Sequence, residues 1–544
     1  MHMGALAVVS GVQWAAARRA RSAGLVALAL LLAAWAAPAG AAAKASWPMA
    51  GQNAANSHWQ PLETAITPVD VGGLASKWVF TTHGDVSATP TVYGGVVYFP
   101  DNGGYLNAVN TSTGAAVWQQ QIATYDGVTG SYSRTSPAVF GQEVIIGDRA
   151  GSNSGAHVLA VSRATGKLLW STQVDAHPAA RITGNPVVAG ERVIIGVSSV
   201  EEGLAQSESY PCCTFRGSVV ALNVKTGQLL WKAYTVPPNS GPCTGHNPPS
   251  GCGYSGGAVW STPAVDQAAG VVYASSGNDY TVPDEAIKCQ HEALEHKTSD
   301  AACTAPDDYF DSVLALNLKT GAVKWGRKLQ GWDAWNLACQ SKGIGKTWCP
   351  SAESPDFDFG AGPNILKAGG RKLIGVGQKS GVYWALNPST GAIVWNRLVG
   401  PGTGEGGIQW GTAYDGARVY VPLSDPPPYS ISYTLAGGES DNGGSWAALD
   451  PATGAFDWQV ATPGDVPALG PASVADGVVF AGTMTASAAN MFALEAATGN
   501  RLWSFAAEGD VNSAPAIVEG VVYWGSGYHG GASHKLYAFS LGGH

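Results

Sequence analysis

The chain is 544 residues long with a net charge of −9, and only 13% of its residues are charged. With no basic tract beyond the N-terminus, it lacks the electrostatic footprint of a nucleic-acid-binding protein. Its 72 glycines and 20 tryptophans supply turns and large flat packing surfaces, and the length admits several domains or one large all-β unit.

In chain order, the first feature is an export signal over residues 1–45. ARRAR at 17–21 is its basic region, Ala23–Ala37 is nearly all apolar, and small residues follow in PAGAAAKA. The apolar run falls short of the ~20 residues of a membrane span, so the expectation is a processed leader, no stable membrane span, and a periplasmic or secreted product. Export permits disulfides. All eight cysteines lie between 212 and 349, a pattern that staples long loops. The simplest pairing is Cys243–Cys252, Cys289–Cys303 and Cys339–Cys349.

The remainder, 46–544, repeats itself. LNAVNTSTGAAVW ends at Trp118, HVLAVSRATGKLLW at Trp170, VVALNVKTGQLLW at Trp231 and VLALNLKTGAVKW at Trp325. YWALNPSTGAIVW ends at Trp395, WAALDPATGAFDW at Trp458 and MFALEAATGNRLW at Trp503. Each of these seven tags reads as a strand, a Thr-Gly turn and a strand carrying tryptophan. Starts such as SATP, RTSP, TGNP and WSTP recur eight times if WGTA at 410–413 is included. The late strand YAFS at 537–540 lacks a partner, and the early strand SKWVF at 76–80 lacks a tag. Joined, they complete an eighth unit. The fold class predicted is therefore all-β: one eight-bladed propeller of four-stranded antiparallel blades, closed by its two terminal strands. The tag tryptophans are expected to pack between blades.

Polar residues outside the repeat fall near the starts of innermost strands, where a ring brings them together. Arg134 lies in YSRTSP, Thr183 in RITGNP, and Ser198 and Glu201 in SSVEEG. Trp260 lies in AVWSTP, Asn278 in SSGNDY and Lys379 in GQKSG. Glu201 and Asn278 offer oxygen ligands for a hard cation, Trp260 a flat face, and Arg134 and Lys379 positive charge for carboxylates or an oxyanion. Glu202, one residue on, is expected to point to the opposite face.

WSTP…SSGNDY and TGNP…SSVEEG, in this order and spacing, resemble the pyrroloquinoline quinone-dependent alcohol dehydrogenases over roughly 48–540. YPCCTFRG and DFDFGAGPN resemble the polyvinyl alcohol-oxidising branch. The resemblance implies that Trp260 stacks on the quinone and that Glu201, Asn278 and Asn336 lie at a Ca²⁺ ion. It implies that Arg134, Thr183, Ser198 and Lys379 hold cofactor oxygens. It also implies a vicinal Cys212–Cys213 disulfide as a wall over the quinone, although here that pair follows the glutamate. The alternative is two free or separately paired thiols. Where the family carries a catalytic aspartate this chain reads GWDAWN, placing Asn336 at the base position. An amide cannot take a proton. Asp333 is the favoured substitute, with Asp358 and Asp356 behind it. The implied reaction is oxidation of alcohol groups, secondary and polymeric ones included. With no CxxCH haem motif in the chain, electrons would leave to a separate soluble cytochrome c. The rivals are oxidation of other alcohols or sugars by the same cofactor, and a non-enzymatic scaffold for envelope assembly, which needs none of this residue set.

Overall fold

The computed structural model describes residues 45–149, 154–247, 249–340, 346–350, 354–528, 530 and 534–544. Except for Ala45, the expected export signal lies outside them. No described helix is long and apolar enough to cross a membrane.

Among the described residues, eight blades of four antiparallel strands follow one another around a ring, and two of them gain a short fifth strand, Ala180–Arg181 and the parallel Trp59–Gln60. The first comprises Thr91–Tyr93, Val96–Pro100, Tyr105–Asn110 and Ala116–Gln121. Six more span 138–175, 187–234, 264–328, 364–398, 413–461 and 473–505. The eighth joins Ala516–Val518, Val521–Ser526 and Lys535–Leu541 to Leu74–Thr81, with Trp78 opposite Ala538. Terminal closure thus takes the form expected, and it removes the free edges an open stack would expose.

The tags show why this sequence makes blades that adhere. Asn110 Oδ1 accepts the N–H groups of Ser112 and Thr113, and Asp450 does the same for Ala452 and Thr453. Such side-chain turns lead into a glycine at positive φ, 70° at Gly114 and 71° at Gly454. In every blade but the seventh, the tryptophan lies against the tag glycine of the next. Its indole N–H donates to a tag carbonyl there, as Trp395 does to Pro451 (3.1 Å) and Trp118 to Arg163 (3.0 Å). Trp503 completes the circle by donating to Leu74 O at 3.0 Å.

A Cβ on Gly454 would sit 2.4 Å from Trp395 Cε3, whereas one on Gly369, also at positive φ, meets nothing within 4 Å. Gly454→Ala should therefore cost about 2–4 kcal/mol, combining left-handed backbone strain with overpacking. Gly369→Ala should cost only the backbone part. Urea midpoints of the two variants measure the difference.

The segment 47–60 was not foreseen as structure. It runs across the innermost strands like a drawstring. Trp47 pairs with Val92 in the first blade, and Pro48 O accepts from Val139 in the second. Ala54 O accepts from Val265, Ala55 O from Ile365, Ser57 O from Tyr414 and His58 O from Val474. Gln60 Nε2 reaches Ile517 O in the eighth blade at 3.1 Å. These bonds of the clasp fall downstream of the strand starts.

Candidate functional site

A cavity of about 850 Å³ opens at the starts of the innermost strands. Beneath it, a cleft of about 30 Å³ is lined from all eight blades, from Ser87 and Ser136 round to Pro471 and Asn512. The two share Ser87, Arg134, Thr183, Trp260 and Trp410.

Trp260 is the platform of the cavity. Its ring lies on Gly360, where a Cβ would come within 2.2 Å of Cη2, so only glycine permits this approach. Its indole N–H donates to Asp358 Oδ2 at 2.9 Å. Trp410 meets it edge-on at 5.1 Å between ring centroids. The Lys379 ammonium lies 5.6 Å from the Trp260 ring centroid and pairs with Asp356 Oδ1 (3.0 Å) and Asp358 Oδ2 (3.2 Å). Burial opposes the charge on Lys379, but Asp356, Asp358 and Glu202 together outweigh it and raise its proton affinity. Asp358 is held from below as well, its Oδ1 accepting the Asn278 backbone N–H at 2.7 Å.

On the cavity wall, Thr183 Oγ1 accepts from Ser198 Oγ at 2.8 Å. The Arg134 guanidinium lies 4.3 Å from the centre of the Trp410 ring and 5.2 Å from that of Tyr528. Of the residues predicted for cofactor contact, Arg134, Thr183, Ser198, Trp260 and Lys379 therefore do converge on one cavity.

Other expectations need correction. Glu201, expected as a cation ligand, is fully buried and absent from the cavity lining. Its oxygens accept from Tyr210 Oη (3.0 Å), Thr214 N (2.9 Å) and Phe215 N (2.7 Å). Glu202, expected to face away, lines the cavity. The reason is that Glu201–Leu204 forms a helical turn, not a continuing strand, so the two-residue alternation fails there. Cys212 and Cys213 are joined in a disulfide, but both lie in the core beside Val197 and Phe215 and outside the cavity lining. The other three disulfides are those expected.

Asn336 is also consumed by structure. Its Nδ2 donates to Tyr280 O and Trp348 O, and its Oδ1 accepts from Ala338 N. Asp333 does not line the cavity. It accepts from Asp356 N (3.2 Å) and Phe357 N (2.7 Å), holding the turn that presents Asp358. Asn278 stands behind the wall, its Nδ2 donating to Asp279 O and Trp335 O.

The carboxyl groups form a continuous buried set. Burial, with Asp358 and Asp333 nearby, pushes Glu202 up to about 8. Burial outweighs two backbone hydrogen bonds and pushes Asp333 up to about 6. Asp279, Asp311 and Asp356 are raised as well, burial again leading. Among the described residues, no three carboxylate, imidazole or thiolate groups converge as a ready cation cage.

Sequence reasoning missed Arg149, Tyr280, Gln409 and Trp410, all on the cavity wall. Trp410 had a signal: WGTA occupies a blade start, the position that makes Trp260 a platform.

A family profile described as glucose/ethanol/alcohol dehydrogenase, β-propeller domain, matches residues 47–344. A second, described as outer membrane protein assembly factor BamB, matches 442–540. A polyvinylalcohol dehydrogenase of Sphingopyxis sp. (strain 113P3) is 34% identical over 72% of this chain, and one of Pseudomonas sp. is 30% identical over 70%. The chain spans 56% and 55% of those relatives' own lengths. The crystal structure of quinohemoprotein alcohol dehydrogenase from Comamonas testosteroni superposes with a TM-score of 0.66 at 20% identity, over 92% of this chain and 81% of that one. At that identity the likeness concerns the fold. With more than half of its length matched, the chain belongs to the glucose/ethanol/alcohol dehydrogenase β-propeller family.

Proposed function

We propose that this protein oxidises alcohol groups with pyrroloquinoline quinone, secondary alcohols of the polyvinyl alcohol kind among them. One observation carries the reading: Trp260 presents a flat face in a large cavity, with its edge tied to Asp358 and Lys379 beside both. The residues fit a planar tricarboxylate. Arg134, Arg149 and Lys379 line the cavity as three cations, and Thr183 and Ser198 add hydroxyls. Trp260 would hold the ring face and Lys379 the carbonyl edge.

A calcium ion would take Glu202, the wall carboxylate near Asp358 and Lys379, as a protein ligand. When bound, the quinone supplies two-electron oxidising power that no side chain has. Asp358 is the acidic side chain on the wall that bonds both the platform and the lysine. Its Oδ2 takes the hydroxyl proton of the substrate, and Lys379 Nζ stabilises negative charge on the neighbouring oxygen. A separate soluble cytochrome c would be the electron acceptor, in a periplasmic setting.

The assembly-scaffold reading has one support, the match over 442–540. That stretch holds repeat tags and little of the cavity, and a scaffold requires neither Trp260 nor Lys379.

The test is a cofactor titration of the full chain with Ca²⁺, read by tryptophan quenching and by dye reduction with secondary alcohols. Binding should be saturable, and Trp260→Ala should weaken it about tenfold to a hundredfold, the value of one stacked face. No binding by the wild type would overturn the quinone reading.

A further inference from the structure

The cavity lining is mixed: Arg134, Arg149 and Lys379 are its cations, and the sixth and seventh blades contribute the apolar Pro426, Pro427, Pro467, Leu469 and Met484. Past Pro427 the chain leaves the lining. Tyr429 N donates to Pro426 O at 3.1 Å, and Ile431 N donates to Asp425 Oδ2 at 2.8 Å. These bonds fold the loop into a short ridge that begins on the cavity wall. On it, Tyr429 is 58% and Ile431 50% exposed.

Most other exposed apolar side chains are explained by the repeat. Val117, Leu168, Leu229, Val323 and Ile393 all lie on the outermost strands, flanking the tag tryptophans. Tyr429 and Ile431 belong to no blade strand. They follow within four residues of Pro427 on the cavity lining, so the exposed apolar pair lies in the stretch of chain that leaves the cavity. The ridge from 426 to 431 is PPPYSI and carries no charge, and Glu405 on the adjoining cavity wall disfavours an anionic occupant. Ser424 and Gln409 on the adjoining wall can bond hydroxyls.

We infer that Tyr429 and Ile431, with Pro426 and Pro427 behind them, form an outer subsite for the unreacted part of a long substrate: an uncharged hydrocarbon chain bearing hydroxyls that extends past the cavity mouth. The inference rests on the alcohol-oxidising reading of the cavity. It adds that chain length is sensed at this rim and not at the reacting carbon. Units beyond the mouth gain affinity by covering apolar surface on the ridge. A small alcohol enters without touching it.

The experiment uses the full chain loaded with the quinone and Ca²⁺, a dye acceptor, and a series of vinyl alcohol oligomers running down to a single small secondary alcohol. In the wild type, KM should fall as length increases until the oligomer spans the ridge, then level off. In Tyr429→Ser/Ile431→Ser, KM for long oligomers should rise roughly ten- to fiftyfold with kcat kept. Turnover of the small alcohol should stay within about twofold. Calorimetric binding of the oligomers to the same two proteins gives a second readout that needs no turnover. Length-independent KM and binding in the wild type would overturn the inference while leaving the oxidation reading intact. Length-dependent binding without turnover of any alcohol would uphold the rim and overturn that reading. A variant that raises KM only for a protein electron carrier would assign the ridge to carrier docking instead.

Discussion

Asp358→Asn should lower kcat by roughly 10²- to 10⁴-fold, the usual worth of a positioned proton acceptor, while quinone binding stays within about tenfold. The asparagine oxygen can still accept the Trp260 indole N–H, now at 2.9 Å. Lys379 keeps its second partner, Asp356, at 3.0 Å. The platform and the lysine should therefore hold their places, but the single amide oxygen cannot also accept the Asn278 N–H that Asp358 Oδ1 holds at 2.7 Å, so a stability loss of about 1–3 kcal/mol accompanies the loss of the proton acceptor. Asp333→Asn should behave differently. Its two oxygens hold the N–H groups of Asp356 and Phe357, and an amide keeps only one acceptor oxygen. A turn is loosened and a buried donor is left unmatched, at a cost of about 1–3 kcal/mol. The expected signature is a lower urea midpoint with a kcat loss of about tenfold or less. Single-turnover reduction of the bound quinone by a secondary alcohol separates the two. Loss of that step in Asp333→Asn with Asp358→Asn unaffected would return the acceptor role to Asp333.

That pair shows where the sequence could be read and where it could not. The ring was legible because the tag repeats one packing rule: an Asx turn, a left-handed glycine, and a tryptophan lying on the next blade's glycine. The disulfide pairs followed from short separations within loops, of 9, 14 and 10 residues. Side-chain direction was not legible at Glu201 and Glu202. The strand ends one residue earlier in a helical turn, and the acid that packs the disulfide loop exchanges roles with the acid that faces the cavity. Nor could the sequence distinguish Asp333 from Asp358. Both are nearly fully buried, and only the hydrogen bonds show that one supports the turn carrying the other. The clasp at 47–60 was hidden for a related reason. Its bonds to the blades come mostly from its backbone carbonyls, which impose little on residue type.

Raising the pH should destabilise the cation-free protein, and calcium should restore it most at the alkaline end. Glu202 is pushed up to about 8, and Asp333 and Asp308 to about 6, with burial the leading cause for all three. In the unfolded chain such groups titrate near 4. Between about pH 4 and pH 8 the folded state therefore binds more protons than the unfolded one, so stability falls as pH rises through that window. Lys379 and Lys328 are the cations beside this set, too few to offset it. His58 works in the opposite sense: burial lowers it to about 4, so its contribution is lost as pH falls from about 6.5 towards 4. The thermal midpoint should peak on the acid side of neutrality and drop by several degrees towards pH 8, for a change on the order of a few kcal/mol. A divalent ion held by Glu202 needs its carboxylate ionised, so the calcium-induced rise in midpoint should be larger at pH 8 than at pH 5. Glu202→Gln should flatten the decline between pH 6 and 8 and abolish the calcium increment. Scans at one fixed rate, across pH with calcium or with chelator, make the comparison. A calcium increment that survives in Glu202→Gln would place the ion elsewhere in the chain.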